Sequence, residues 1–448
     1  MLRSIGGQLF AYTHSLRATI GSSLLRNGIS TVLIKALGMP LAFGLQLVLV
    51  RVMNVQEYGV YAFAVSWLAI ITLVVALGFD VSYLRFIPQY RVNRQWNYLK
   101  GILRRGGTLV STFSVCTGVL FACLVFLLVE DPSLRLTLLV MCLLFPVRGL
   151  NMLRQAALKG IETPFWAFLP ERVLRPVMLA GGCVLLYFLI SEPLHASSVM
   201  ALNLFVMVCL LTLGTIVLRR RLPSQLRNVQ ADSSNTSEWL KVSLPLFIMS
   251  GLGVIFLRLD VLMVGFLAGK EPTAVYNAAS RTAILMTLFI TTALAVLSPR
   301  ISELYYSNNL EKLQRTISIG ATLSDVFTFL LFVPFCLFGE YVLALFGEQY
   351  IAGLPALVIL AAGYLVEAFT VMANILLRVT GYQKISAGLL ASALLLNVLL
   401  NVTLIPHYGI TGAALATAVS TALLNVLRLL YARKHLGLHI TCFAFLKK

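Results

Sequence analysis

"GVIFLRLDVLMVGFL", residues 253–267, is apolar enough to lie in lipid, yet it carries Arg258 and Asp260. Two positions apart is about 200° around a helix, so the two charges cannot face each other and each needs its own partner. A charge at the centre of a bilayer costs at least about 2.5–3.5 kcal/mol on insertion scales. Whether this stretch spans a membrane is decided by the rest of the chain.

The 448 residues are 59% hydrophobic and 12% charged, against roughly a quarter charged in a soluble domain. Apolar runs of about 20 residues recur from end to end, each long enough for a hydrocarbon core of about 30 Å. The chain therefore reads as an all-α polytopic membrane protein. Spans are predicted at 29–50, 58–79, 106–129, 136–153, 174–190, 196–218, 242–267, 274–298, 317–338, 354–377, 384–405 and 409–430. They group as an N-terminal six-helix bundle (29–218) and a C-terminal one (242–430). An amphipathic segment, 1–28, precedes them, a flexible polar linker, 219–241, joins them, and a basic tail, 431–448, follows.

Most of the 35 lysines and arginines fall in the N-terminus, the loops predicted at 85–105 and 148–175, the linker, 300–315, 378–384 and the tail. The opposite loops hold only Arg51, Arg135 and Lys270. By the positive-inside rule, both termini and the linker are expected in the cytoplasm. The formal charge of +18 then forms a skirt facing anionic membrane lipids. No compact basic domain exists to hold a duplex, which excludes nucleic acid as a partner.

The seven cysteines form no C-x-x-C pair and the five histidines are scattered, so neither a metal site nor a cofactor is expected. The predicted external loops are short and poor in acidic residues, which counts against an enzyme of glycan assembly. The halves echo each other: "GVYAFAVS" (59–66) resembles "AVYNAASR" (274–281), and "NMLRQAALKG" (151–160) parallels "NILLRVTG" (374–381). A parallel repeat of this kind predicts two pseudo-symmetric bundles around a central cavity, the plan of many alternating-access transporters.

Arg258, Asp260, Arg281, Asp325 and Glu367 lie deepest in the spans, and Lys35 lies about six residues into the first. Lipid-facing placement is too costly, so these groups are expected to line a wet cavity or to pair between helices. Asp260 and Arg281 fall at equal predicted depth on neighbouring helices and are expected to pair across the hairpin. Arg258, on nearly the opposite face, is then turned toward the cavity. Asp325 and Glu367 also share a predicted depth, which makes them candidates for ion coupling.

"VRVMNVQEYGVYAFAVSWLAIITLVVALGFDVSYLRFIPQY", "RLDVLMVGFLAGKEPTAVYNAASR" and "GYQKISAGLLASALLLNVLLNVTLIPHYGITGAALATAVS" resemble the Wzx-type flippases of bacterial polysaccharide biosynthesis. These belong to the multidrug/oligosaccharidyl-lipid/polysaccharide exporter superfamily, and the resemblance covers nearly the whole chain. It implies a bacterial cytoplasmic (inner) membrane protein that moves undecaprenyl-diphosphate-linked oligosaccharide repeat units outward for O-antigen, capsule or exopolysaccharide synthesis. It further implies a polysaccharide polymerase and chain-length machinery as partners. Arg258, Lys35 and Arg281 become the expected diphosphate-binding groups, because guanidinium and ammonium suit phosphate oxygens. Tyr276, Tyr364 and Trp67 are candidates for stacking on sugars. The rival readings are a multidrug or toxin cation antiporter of the same superfamily and a membrane polymerase or glycosyltransferase.

Overall fold

The computed structural model describes residues 33, 34 and 36–436; Lys35, the segment 1–28 and the end of the tail lie outside the described residues. Those described form helices and connecting turns, with no strand among them. Helix α1 (Ala36–Val52) leads into α2 (Val55–Val75) and α3 (Phe79–Val92). Next come α4 (Trp96–Leu128), α5 (Pro132–Gly160), α6 (Pro164–Leu169), α7 (Arg175–Ile190) and α8 (Ala196–Arg221). The second half holds α9 (Thr236–Phe256), α10 (Leu259–Leu267), α11 (Lys270–Ala283) and α12 (Thr287–Tyr306). It ends with α13 (Leu310–Ala344), α14 (Leu354–Val379) and α15 (Gln383–Leu436), the last broken at Gly409. Nine helices among the described residues are long and apolar enough to cross a membrane. With the short α1, the broken α9–α10 and the divided α15, the elements are consistent with the twelve crossings expected.

Polar side chains start the helices where the sequence supplies them. Asn54 accepts the Glu57 amide at 2.8 Å to cap α2, and Asp131 accepts the Leu134 amide at 2.8 Å ahead of Pro132 on α5, each satisfying an otherwise orphaned donor. Several helices outrun the apolar windows that predicted them. The expected 85–105 loop is mostly α3 and the start of α4, and α5 continues to Gly160. A hydropathy window stops where lipid stops, whereas backbone hydrogen bonding continues while the residues remain good helix formers.

The 219–241 connection is not the flexible linker its composition suggests. Leu226 and Trp239 are buried in the core that Phe79, Tyr83, Leu99 and Ile102 form in the first half. Trp239 Nε1 donates to the Tyr90 hydroxyl at 2.8 Å, and Lys100 Nζ donates to the Val229 carbonyl at 2.8 Å. Two apolar anchors in a polar stretch are enough to hold it down. Helix α9 thus begins against the first half, where Ser243 and Ser82 share a 2.7 Å hydrogen bond. The chain kinks between α2 and α3 at Leu77 and Gly78, both left-handed. At Gly78 a β-carbon would stand 2.3 Å from the Ser243 carbonyl oxygen, so glycine is needed for the turn and for the approach of α9.

At the charge-poor end the halves close on each other. Arg51 Nη2 donates to the Leu345 carbonyl at 2.9 Å, and Gln56 Nε2 donates to Glu271 Oε1 at 2.9 Å. Lys270 pairs with Asp131. One layer deeper, Asn277 Nδ2 donates to the Tyr58 hydroxyl, which donates to Gln46 Oε1, both at 2.8 Å. The two echoing segments of the sequence meet here. A β-carbon on Gly59 would lie 2.0 Å from the Lys270 carbonyl oxygen and 3.4 Å from the Ala274 amide. Gly59 and Ala274 are equivalent positions of the repeat, so like meets like, as expected about a two-fold axis.

The Lys270 hydrogen bond, aided by the Leu134 amide, holds the Asp131 carboxyl below its ordinary range. A depressed carboxylate favours the closed end above the ordinary value of about 3.9 and loses that contribution as pH falls through the lowered value. Both partners are about a third exposed, so the pair is screened and contributes only about 0.2–1 kcal/mol. Asp131→Asn should therefore raise labelling of a cysteine placed at Ala42, in the cavity beneath this end, by no more than about fivefold at neutral pH, and acid should add nothing further. A wild-type-like pH response in that variant would assign the acid effect to another group.

Candidate functional site

Below the closed end lies a central cavity of about 770 Å³, within the usual range of roughly 300–1,000 Å³ for ligand sites. Both halves line it. The first contributes Gln46 on α1, Tyr61 on α2, and Arg148, Asn151 and Gln155 on α5, together with Glu171, Arg172 and Arg175. The second contributes Arg258, Asn277, Arg281, Tyr364 and Glu367. Five arginines thus face two glutamates.

The backbone explains how some of these side chains arrive. Residues Pro170–Leu174 form one π-helical turn between α6 and α7, in which the Arg175 amide bonds the Pro170 carbonyl. Pro176 has no amide to give Arg172, and its ring crowds that carbonyl, which widens the helix. The wider turn carries Glu171, Arg172 and Arg175 into the cavity wall. Arg258 occupies the break between α9 and α10, with its backbone outside the helical region.

The charges do not cancel. Arg148 Nη1 pairs with Glu171 Oε2 at 3.0 Å. Glu367 has Arg428 of α15 as its opposite charge. Arg175 Nη2 donates to the neutral Asn203 Oδ1 at 3.3 Å, and its Nε has no hydrogen-bond partner among the described residues. Arg172, Arg175, Arg258 and Arg281 have no carboxylate within ion-pair distance among the described residues. Four guanidinium groups in a confined space of reduced dielectric make a strong site for an anion with several oxygens.

Of the residues singled out in the sequence, Arg258, Arg281 and Glu367 come together on this cavity, and Lys35 lies outside the described residues. Asp325 is buried on α13 and is not part of the lining. The expected Asp260–Arg281 pair does not form. Asp260 accepts instead from the Tyr276 hydroxyl at 2.7 Å and from the Val261 amide at 2.8 Å. The reason is a matter of one turn: the helix starts at Lys270 rather than 274, so Arg281 sits deeper and Tyr276 reaches the level of Asp260. Tyr276 is thereby committed to Asp260, and Trp67 packs against Phe121 and Phe266. Tyr364 alone of the three aromatics lines the cavity.

The stretch 148–175 reads as a basic loop from its charges, which places Glu171 and Arg172 before the predicted span and Arg175 at its very start. Their signal was the proline-bracketed "PERVLRP" (170–176) directly before an apolar run.

The polysaccharide biosynthesis protein family matches residues 24–305, and the MatE family matches residues 245–403. The probable low-salt glycan biosynthesis flippase Agl15 of Haloferax volcanii is 26% identical over a segment spanning 41% of this chain and 39% of that protein. Among solved structures, the lipid II flippase MurJ in an inward closed conformation superimposes with a TM-score of 0.72 at 17% identity, covering 91% of this chain and 87% of MurJ. An inward-facing multidrug resistance MATE transporter of the MOP superfamily gives 0.70 at 16% identity, covering 92% and 98%. The last two likenesses establish the fold, that of MATE and MurJ transporters. With the first match extending over more than half of the sequence, the chain belongs to the polysaccharide biosynthesis protein family.

Proposed function

We propose that this protein is a flippase that carries an undecaprenyl-diphosphate-linked oligosaccharide repeat unit across the bacterial cytoplasmic membrane by alternating access. The observation that carries this reading is the excess of unpaired guanidinium groups in the central cavity. A diphosphate offers several anionic oxygens, and planar guanidinium forks bind them in pairs. Arg258 and Arg281, with Arg172 and Arg175, take the diphosphate, while Gln46, Asn151, Asn277 and Tyr364 supply hydrogen bonds and a ring face for sugars. Glu367, in the cavity wall, is the ion-coupling group, with Asp325 as a second candidate outside the lining.

The basic loops face the cytoplasm by the positive-inside rule, and both termini lie there. The sealed end is then external and the cavity belongs to an inward state, in which cargo enters from the cytoplasmic leaflet with its lipid tail left in the bilayer. The halves 29–218 and 242–430 rock about the cavity, and a polymerase with chain-length machinery receives the product outside. A cationic drug would meet four uncompensated positive charges, which disfavours the antiporter reading.

Proteoliposomes loaded with defined polyprenyl-diphosphate oligosaccharides provide the test, with glycan exposure read by an impermeant lectin or glycosidase. Protein-dependent exposure that the free diphosphate competes against is the expected result. Exchange of a cationic dye with no movement of the lipid-linked sugar would overturn the assignment.

A further inference from the structure

A second cavity, also of about 770 Å³, lies in the first half at the basic end and shares no lining residue with the central one. Helices α4 and α8 each pack on α5 and stand apart from each other, leaving a cleft with α5 as its floor. The same helix serves both cavities with different faces: Leu150, Leu153, Arg154 and Ala157 here, Arg148, Asn151, Met152 and Gln155 in the centre.

Lys100, Arg104, Arg154, Arg219 and Arg227 line this cleft, with no aspartate or glutamate among the described residues that do so. Arg154 forms its base and is 4% exposed. Its Nη1 donates to the Leu210 carbonyl across Gly214, but its Nε and Nη2 have no hydrogen-bond partner among the described residues. A buried guanidinium with two idle donors is costly unless something supplies acceptors. At Gly107 a β-carbon would meet nothing within 4 Å, so the cleft has free space beside the cations. The remaining lining is largely apolar, and α4 and α8 expose Val115, Val119, Leu213 and Ile216 along the same bodies.

We propose that this cleft holds the headgroup phosphate of an anionic phospholipid from the leaflet at the basic end. Arg154 anchors the phosphate from below, the rim cations close over it, and the acyl chains lie against α4 and α8. Basic recesses between helices at such a membrane face suit phosphate headgroups, and the cation excess selects an anionic over a zwitterionic lipid. The occupant is a resident lipid, distinct from the cargo of the central cavity.

Native mass spectrometry of the full-length protein supplies the test, comparing phosphatidylglycerol with phosphatidylethanolamine. One phosphatidylglycerol should be retained per chain, and each charge-assisted contact removed should weaken it roughly tenfold. Arg104→Gln with Arg219→Gln removes two exposed rim cations without touching the core. Gly107→Leu fills the cleft while keeping every charge. Both should lose the lipid, and Arg154→Gln should lose it most completely if that variant folds. Equal retention of the two lipids, or unchanged retention in the rim and Gly107 variants, would overturn the site. Displacement by inorganic phosphate or by polyprenyl phosphate at matched concentration would overturn the assignment to a resident phospholipid.

Discussion

Replacing Arg258 and Arg281 together by alanine should stop transport of a lipid-linked diphosphate while leaving protein abundance near normal. Neither side chain has a carboxylate partner among the described residues, so removing them strands no buried opposite charge. The cargo, by contrast, loses charge-assisted contacts at about 1.5–3 kcal/mol each, or roughly 10- to 150-fold in affinity per residue. Arg148→Ala is the internal contrast. It leaves Glu171, half-buried at 19% side-chain exposure, without the partner it holds at 3.0 Å, and breaking a buried pair is strongly destabilising. That variant should lower abundance, and Arg148→Ala with Glu171→Ala should partly restore it. Arg258→Lys should keep some transport as a point charge without the fork. Normal export by the Arg258/Arg281 double variant would remove these residues from the substrate site.

The second large effect is expected at Gly59. Any β-carbon there collides with backbone atoms, the Lys270 carbonyl oxygen at 2.0 Å and its carbon at 2.8 Å, and backbone cannot swing aside as a side chain can. Gly59→Val therefore forces α2 and α11 apart in the closed state, at an overpacking cost of about 1–3 kcal/mol. In the proposed alternating-access cycle, opening this end separates α2 from α11 and relieves the contact. The substitution should shift the closed-to-open ratio roughly 5- to 150-fold toward open and slow turnover with it. Because the strain is specific to one state, the variant should still fold and insert. A cysteine at Ala42, in the cavity lining beneath the seal, should become reactive to an impermeant thiol reagent in a cysteine-free background. Unchanged reactivity together with unchanged transport would show that α2 and α11 do not form the seal.

That the chain is built of apolar membrane-length helices was legible because lipid imposes a length and a polarity on each one. The echo of "GVYAFAVS" and "AVYNAASR" announced a repeat, but not that Gly59 and Ala274 touch. What hydropathy could not locate were helix starts. An error of one turn in α11 exchanged Arg281 for Tyr276 as the partner of Asp260, and reading 148–175 as a loop hid Arg172 and Arg175 from the cavity. The balance of cavity charge was lost for the same reason. Four extra charged residues, Arg148, Glu171, Arg172 and Arg175, belong to the wall, and Arg428, near the end of the last helix, is the opposite charge nearest in effect to Glu367.

The burial of Leu226 and Trp239 among first-half residues bears on how the chain is made. Membrane proteins emerge from the ribosome in order, and early segments begin to fold before later ones exist. Here the basic-end core of the first half has a gap the size of an indole until residue 239 has been synthesised, by which time the next span has started. Tyr90 waits for the Trp239 nitrogen, and Lys100 for the Val229 carbonyl. The first half is therefore finished by the opening residues of the second. A ribosome that pauses between 221 and 239 leaves an incomplete bundle in the membrane, and any natural or engineered division of the gene has to fall beyond Trp239 to yield a self-sufficient piece.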